Sequence, residues 1–355
     1  MYFETRDKDG REKFSQTYSS LTNHIPTKIH LCYLKALTKG IALTFLPAIH
    51  IGCSEDVLPS AGSSICTEVL KSAVSTPDKA STLDILIFED DRLRRLDSYQ
   101  RIEDFRQMEI YPSSTGGGKI FFFCMNSQRN RYDWADIGSY ASLSGISCEL
   151  EMEDRKNFVK TAEYRCEAGT DMQQVMMSTL VSEIDIENIM CDFYGTPYTD
   201  RKITDVRIYL TNVNANCPLI GTESGGEIRM INQGMLNHYD VRKFQDPSMI
   251  VQTIDEAIWK YGTSLRKSFV CYPHASNDGR GTRLVIEGKI DGETYFWPFE
   301  VGGPEGIEKN CRYIYRINIR RKGTTDPDSL IDPTDVELDL KVKPWSEKEE
   351  YCVMF

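Results

Sequence analysis

The sequence predicts a mainly β protein built from sandwich domains, with a few short helices. Three observations carry this. Short runs alternate apolar and charged residues with period 2, as where Val336, Leu338, Leu340 and Val342 interleave with Glu337, Asp339, Lys341 and Lys343. Turn signals separate the runs at short intervals, among them Asp291-Gly292 and the Gly-rich stretch before Lys119. One long segment alone, Pro247 to Gly262, carries a helical pattern.

Bulk properties bound the function. At 355 residues the chain is long enough for two domains, and 40% hydrophobic with 27% charged residues is the composition of a folded protein. A net charge of -11 argues against a nucleic-acid partner, which needs a basic face. The clusters Arg92/Arg94/Arg95 and Arg320/Arg321/Lys322 flank strand-like runs and read as solvated strand ends. The 11 cysteines form no CxxC pair, so neither a zinc site nor a redox motif is indicated. Cys124, Cys191 and Cys271 fall inside apolar runs, as small buried hydrophobes do. Sequence leaves disulfide pairing unassigned.

In chain order, residues 1–53 read as a leader. Lys35 and Lys39 precede an apolar run, Ile41 to Ile51, too short for a permanent membrane span. The run ends at Gly52-Cys53 before a polar "SED". That order resembles a bacterial lipobox, in which the cysteine is acylated, as with palmitate, and the leader removed. Cys53 is therefore the expected lipid attachment site. Ile65 to Val74 is an expected strand, followed by the polar turn "STPDKAS". Strands are expected at Thr82–Asp90, at "RQMEIYP" and at "KIFFFCMN". "YDWADIGSYASL" predicts a short helix capped by Asp133, with Trp134, Ile137 and Leu143 near one face. A Gly-marked break near Gly169 divides an N-terminal domain, 54–169, from a C-terminal domain, 170–355.

In the second half, "QVMMSTLVSEIDIENI", "ITDVRIYLTNV" and "SFVCYP" predict strands. Pro247 opens the expected helix, Ile250, Ile254, Ala257, Ile258 and Tyr261 form its face, and Gly262 ends it. "TRLVIEGKIDGETYFWPFEV" predicts a hairpin turning at Asp291-Gly292. "CRYIYRINIRR" and "VELDLKVKPW" complete the sheet.

No catalytic motif survives inspection. After the leader only His238 and His274 remain, without metal-ligand spacing. In "GTESGG", Ser224 stands one place late for a nucleophile elbow. In "SSTGGGKI", Ser113 stands where a phosphate loop has its first Gly, and Ile120 stands where Ser or Thr should follow Lys119. Asp326, Asp328 and Asp332 lie among prolines and read as turn formers rather than calcium ligands. Nothing brings a pair such as Asp90/Asp91 into glycosidase geometry. The expectation is a non-enzymatic protein without cofactor or metal.

"GIEKNCRYIYRINIRRKGTTDPDSLIDP" followed by "VELDLKVKPW" resembles the C-terminal domain of fimbrillin-like proteins, the type V pilins of Gram-negative gut and oral bacteria. Ile307, Asn310, Tyr313, Gly323, Pro327 and Trp345 carry the match. "SFVCYPHAS", the hairpin and "ITDVRIYLTNVNA" are similar to the strands before it, and "TLDILIFEDDRLRRLDSYQR" to an early strand of the N-terminal domain. The resemblance implies two transthyretin-like Greek-key β-sandwiches on an outer-membrane lipoprotein. It further implies removal of an N-terminal strand by a protease with arginine preference, and assembly by strand exchange with other pilin subunits into an adhesive fimbria. Here the linker after Ile65–Val74 holds no arginine, which leaves Lys79 as the processing point and an anchor or tip role beside a stalk role.

The row Val336, Leu338, Leu340, Val342 is expected to pack inside the second sandwich. The tail beyond Trp345, with Tyr351, Val353 and Phe355, is the expected donor to a neighbour. The alternative function is a surface glycan-binding β-sandwich lipoprotein, which requires a platform of exposed aromatics. Trp134, Trp259 and Trp297 all fall in apolar-periodic runs, where core packing is expected.

Overall fold

The computed structural model of the chain describes residues 82–103, 110, 112–114, 116–128, 132–167, 175–220, 228–275, 280–303, 305–332, 335–344 and 352–353. The described residues lie in one compact unit, mainly β with only short helices. Ile65–Val74, most of "RQMEIYP" and the boundary at Gly169 lie outside them.

The first sheet is built from β1 (Leu83–Glu89), β2 (Leu96–Ile102), β3 (Lys119–Met125) and, past β4 (Ser147–Glu149), β5 (Lys160–Cys166). Two short strands follow, β6 (Val175–Met176) and β7 (Ser178–Thr179). The sheet order is β2-β1-β3-β5-β7, antiparallel throughout. The central pair reads as a continuous apolar run because both of its faces are buried. Leu86, Phe88, Ile120, Phe122 and Cys124 join the main core. Leu83, Ile85, Ile87, Phe121, Phe123 and Met125 form a second, smaller cluster with Val175 and Met177. Asp84 alone breaks the run. It is buried and satisfied by Arg101 at 3.1 Å, Tyr99 Oη at 2.7 Å and the Ser127 hydroxyl. The helical stretch after β3 is split. Asp133 caps a 3-10 turn at Trp134–Asp136, and Ser139 caps α1 (Tyr140–Leu143). Trp134, Ile137 and Leu143 are buried, as their spacing predicts.

The second half is a sandwich. Its strands are β8 (Ser182–Cys191), β9 (Thr204–Thr211), β10 (Val213–Asn214), β11 (Asn216–Pro218), β12 (Met230–Ile231), β13 (Val251–Ile254), β14 (Thr263–Cys271), β15 (His274–Ala275), β16 (Arg283–Ile290) and β17 (Glu293–Glu300). β18 (Gly306–Ile307), β19 (Cys311–Ile319) and β20 (Val336–Pro344) follow, and β21 (Cys352–Val353) pairs apart from it with β6. One sheet runs β13-β9-β16-β17 and the other β14-β8-β19-β20, with β8 and β19 parallel. The sheets meet face to face. The Phe299 and Tyr315 rings lie 5.9 Å apart, and the Gly302 N–H donates to Tyr315 Oη at 3.0 Å. Asp291 and Gly292 both have positive φ, 52° and 89°, as a type I′ hairpin turn requires.

The segment 247–262 is not a helix. A 3-10 turn at Pro247–Met249 passes directly into β13, which pairs with β9 from Val251↔Tyr209 to Ile254↔Val206. Ile250, Ile254 and Ile258 are buried, but through strand and loop geometry. Val251, Thr253 and Ile254 are β-branched and favour extended backbone, and the open edge of β9 supplies the partner that decides the outcome.

Segments from before and after residue 169 interlock. β4 pairs with β11, and Arg229 grips Glu151 with two bonds of 2.7 and 2.6 Å. Glu153 is fully buried beside them, accepting from Tyr272 Oη at 2.7 Å and Val159 N–H at 3.1 Å. Burial raises its carboxyl from 4.5 to about 7, against the lowering effect of those two donors. The folded chain therefore holds a proton there that the unfolded chain releases above pH 4.5. Stability from this group is complete below that pH and is lost as pH rises through about 7, a span of about 3 kcal/mol. In denaturant titrations at pH 5 and pH 8, Glu153→Gln should show a smaller loss of stability on going to pH 8 than the unsubstituted chain. Equal losses would mean that Glu153 is ionised in both states.

Candidate functional site

The site begins with β19. Tyr313, Tyr315, Ile317 and Ile319 point into the sandwich and are buried. β20 pairs with it antiparallel, and the register sets Val336 opposite Ile319, Leu338 opposite Ile317, Leu340 opposite Tyr315 and Val342 opposite Tyr313. Residues directly opposite share a face. The apolar row of β20 therefore lies on the core side of the sheet, as the alternation predicts. Its burial does not follow. Val336 is buried, but Leu338, Leu340 and Val342 are 38%, 36% and 52% exposed. The expectation that this row fills the second sandwich is corrected: it has the right face but is only partly covered.

The path of the chain explains why. After β19, residues 320–324 cross to the rim of the opposite sheet. Phe296 and Thr324 exchange two backbone hydrogen bonds of 2.9 Å, and Trp297 Nε1–H donates to Arg321 O at 2.9 Å. The approach is so close that a Cβ on Gly323 would stand 2.2 Å from Phe296 O. This crossing covers the end of the sheet near Val336. β17 is the last strand of the opposite sheet. β20 is also the end of its own sheet, and among the described residues no strand pairs with its outer side. Every second backbone N–H and C=O of an edge strand faces outward.

The other face of β20 is charged. Arg316 lies 3.9 Å from Asp339 and 2.6 Å from Glu187, and Arg320 pairs with Glu337. These exposed pairs add little stability. They do fix which face stays wet. The strand thus offers one charged face, one partly covered apolar face and an open edge.

The residues singled out from sequence fare differently. Cys53, Lys79, Tyr351 and Phe355 lie outside the described residues. Val353 is described by its backbone: β21 pairs with β6 of the same chain, Cys352 opposite Met176 and Val353 opposite Val175. Trp134 and Trp297 are core residues, but Trp259 is 43% exposed, with the Lys202 ammonium 5.9 Å from its ring centre. Tyr261 beside it is 83% exposed. Both stand in the segment expected to be helical, and its loop geometry turns them outward. Asp326 accepts from Asp328 N–H at 3.1 Å and from the Ser329 hydroxyl at 2.9 Å, the turn role expected of it. Among the described residues no group of His, Cys, Asp and Glu is arranged to hold a metal, and no helix is long and apolar enough to cross a membrane. A cavity of about 230 Å³ adjoins Glu153. Its polar lining is engaged within the chain: the Gln128 amide bonds the Glu149 backbone at 2.8 and 2.9 Å, and Asn126 bonds Phe158 O.

No family model matches the sequence, and no curated protein is significantly similar to it. Solved structures do match. A protein of Bacteroides eggerthii assigned to cell adhesion aligns with a TM-score of 0.59 at 14% identity, over 76% of this chain and 90% of that one. A Parabacteroides distasonis protein with the same assignment gives 0.56 at 13% identity, over 79% and 95%. Fimbrilin from Porphyromonas gingivalis gives 0.54 at 15% identity, over 76% and 92%. The chain has the fimbrilin fold. At these identities the likeness rests on strand order and packing.

Two rows of one ladder can be compared directly. Leu338→Asp or Leu340→Asp should lower folding stability by clearly less than the same change at a fully buried position, since more than a third of each side chain is already exposed. Ile317→Asp, across the ladder from Leu338 and buried, should cost several kcal/mol. Urea midpoints distinguish them; a large loss at Leu338 would show that the row is roofed.

Proposed function

We propose that the protein is a structural subunit of a cell-surface adhesion fibre, joined to its neighbours by strand exchange, and that it is not an enzyme. The observation that carries this reading is the partly covered apolar row of Leu338, Leu340 and Val342 on the open edge of β20, in a chain with the fimbrilin fold. Covering what remains exposed of each side chain contributes about 1 kcal/mol. Three such contributions are too few for stable docking, so the ladder hydrogen bonds of an added strand belong to the interface as well. Residues 54–169 and 170–355 are two sandwich modules in this reading. Cys53 is the lipid anchor to the outer membrane and Lys79 the processing point, which follow from the order of residues in the leader and the linker.

The tail remains part of the proposal. Within one chain the backbone of Cys352–Val353 already pairs with β6. Tyr351, Val353 and Phe355 can serve a neighbour only after that short ladder opens, as in a domain swap. Two ladder positions are easily released, so this cost is small.

A second reading is favoured by Trp259 and Tyr261. Their exposure supplies an aromatic surface of the kind that the glycan-binding alternative needs. An adhesive subunit and a glycan-binding surface are compatible on one molecule.

Assembly decides between the roles. The double variant Leu338→Asp/Leu340→Asp should stay folded by circular dichroism yet fail to enter fibres, seen as loss of the polymer ladder in surface extracts. Trp259→Ala should leave that ladder intact and reduce retention on immobilised glycans if the second reading holds. Normal polymers from the β20 variant would exclude β20 as the joint. Cys53→Ser should abolish fatty-acid labelling and release the protein from the membrane fraction; unchanged labelling would remove the lipid anchor from the proposal.

A further inference from the structure

The order of side chains along β20 is its own complement. On the wet face Glu337 and Asp339 precede Lys341 and Lys343, and on the other face Leu338 and Val342 stand on either side of Leu340. Turning the strand end for end about Leu340 sets Glu337 against Lys343, Asp339 against Lys341, Leu338 against Val342 and Leu340 against itself. The backbone is arranged to match. The Asp192 N–H donates to Ile319 O at 2.8 Å on the β8 side of β19, and the Arg320 N–H donates to Asp335 O at 2.8 Å on the β20 side. Hydrogen-bonded positions recur every two residues in an antiparallel ladder, so Glu337, Asp339, Lys341 and Lys343 direct their backbone groups to β19. Val336, Leu338, Leu340 and Val342 direct theirs to the open edge. Pro344, which has no N–H, falls on this outward phase, where the β19 ladder loses nothing.

We propose that β20 pairs antiparallel with β20 of a second copy of this chain, about a two-fold axis through Leu340, to form an edge-to-edge dimer. The β14-β8-β19-β20 sheet continues across the axis into its twin. Leu340 exchanges both backbone bonds with Leu340 of the second copy, and Leu338 does the same with Val342 of the second copy. The Val336 N–H meets Pro344 O of the second copy. Residues directly opposite share a face, so the two apolar rows lie side by side on the core side and the charges meet on the wet side. There Asp339 of each copy faces Lys341 of the other, and Glu337 faces Lys343. Within one chain Lys341 stands opposite Ile314, so β19 sets no acid across from it.

The charges select the register. Sliding the partner by two residues is the smallest shift that keeps the outward backbone groups facing one another. It sets Asp339 against Asp339 of the second copy in one direction and Lys341 against Lys341 of the second copy in the other. Like charges directly opposite are destabilising. Exposed ion pairs contribute little by themselves, so affinity comes from the ladder bonds and the apolar rows, and specificity from the charges. One strand per copy is a small interface, which makes the dimer a reversible one. The pairing goes beyond the fibre reading. It uses the same patch on both copies and closes on itself, so it cannot propagate a polymer. Only its consequence rests on that reading: the dimer covers the edge of β20 until the strand of a neighbouring subunit displaces it.

Sedimentation velocity on the purified full chain, from about 1 to 200 µM, should show a monomer passing into a dimer. Asp339→Lys and Lys341→Asp each replace unlike by like charges on both sides of the axis, and each should weaken the dimer about tenfold. The double variant Asp339→Lys/Lys341→Asp restores unlike charges and should recover the dimer. An equimolar mixture of the two single variants should form a mixed dimer more tightly than either forms its own. Leu340→Pro removes an outward N–H only, so it should abolish the dimer and leave the circular dichroism spectrum unchanged. A monomer at every concentration, or a dimer indifferent to Leu340→Pro, would overturn the pairing. Weakening by the single variants without recovery in the double variant or the mixture would overturn the register about Leu340. The polymer ladder in surface extracts judges the fibre reading separately. A ladder from a chain that is monomeric in solution refutes the dimer and leaves the fibre standing. A dimer with the expected charge response and no ladder refutes the fibre and leaves the pairing standing.

Discussion

Strand β19 is flanked by two neighbours that receive very different cover, and the rest of the sandwich is arranged around that difference. On one side it runs parallel to β8, and on the other antiparallel to β20. Its four inward residues, Tyr313, Tyr315, Ile317 and Ile319, are the floor on which the opposite sheet rests. The hydroxyls of the two tyrosines are also engaged, Tyr313 with the Glu308 N–H at 2.9 Å and Tyr315 with the Gly302 N–H at 3.0 Å. A buried tyrosine that keeps its hydrogen bond is fixed in depth as well as in direction. This holds the two sheets in one alignment. The opposite sheet ends at β17, and β20 is the last strand of its own.

A partly covered apolar row on an edge strand is a hazard in a free monomer, because it templates pairing with any extended chain. Other edges in this molecule are treated differently. The rim of β17 is capped at Phe296 by the backbone of Thr324 and at Trp297 by Arg321. β20 carries two acidic and then two basic residues on its wet face, Glu337, Asp339, Lys341 and Lys343, paired in part to β19, but no charge points inward along the apolar row. Along that apolar row this protection is absent among the described residues.

Where the first sheet meets the sandwich, the interior is unusually polar. Glu153, Tyr272, Glu151, Arg229 and Asp84 are drawn into one region with Cys124, Cys148 and Cys217. Such a region gains little free energy from burial, and each group must be satisfied by a partner placed to suit it. In return it specifies how the segments fit, since a slipped register would leave Glu153 or Asp84 without donors. The ladder of β4 with β11 falls within this region, where the register is most closely determined.

Much of the architecture was legible from sequence because it depends on neighbours close in the chain. Alternation in "CRYIYRINI" and "VELDLKVKP" gave both strands and their faces, and Asp291-Gly292 gave the hairpin and its turn. The continuous run in "KIFFFCM" showed a strand buried on both sides. The same local rules failed over 247–262, where Ile250, Ile254 and Ile258 fit a helical stripe as well as they fit a strand and its loop. The free edge of β9, some forty residues earlier, decided the matter. They failed likewise at β4 and β11, three-residue strands whose only reason to be extended is each other. The sequence by itself determined which face of each strand is apolar, because side-chain direction follows from position along a single strand. Whether that face is roofed, whether Trp259 meets solvent and which cysteines stand opposite one another were decided only by the tertiary structure. These depend on how far one sheet extends over another, a property of segments brought together from distant parts of the chain.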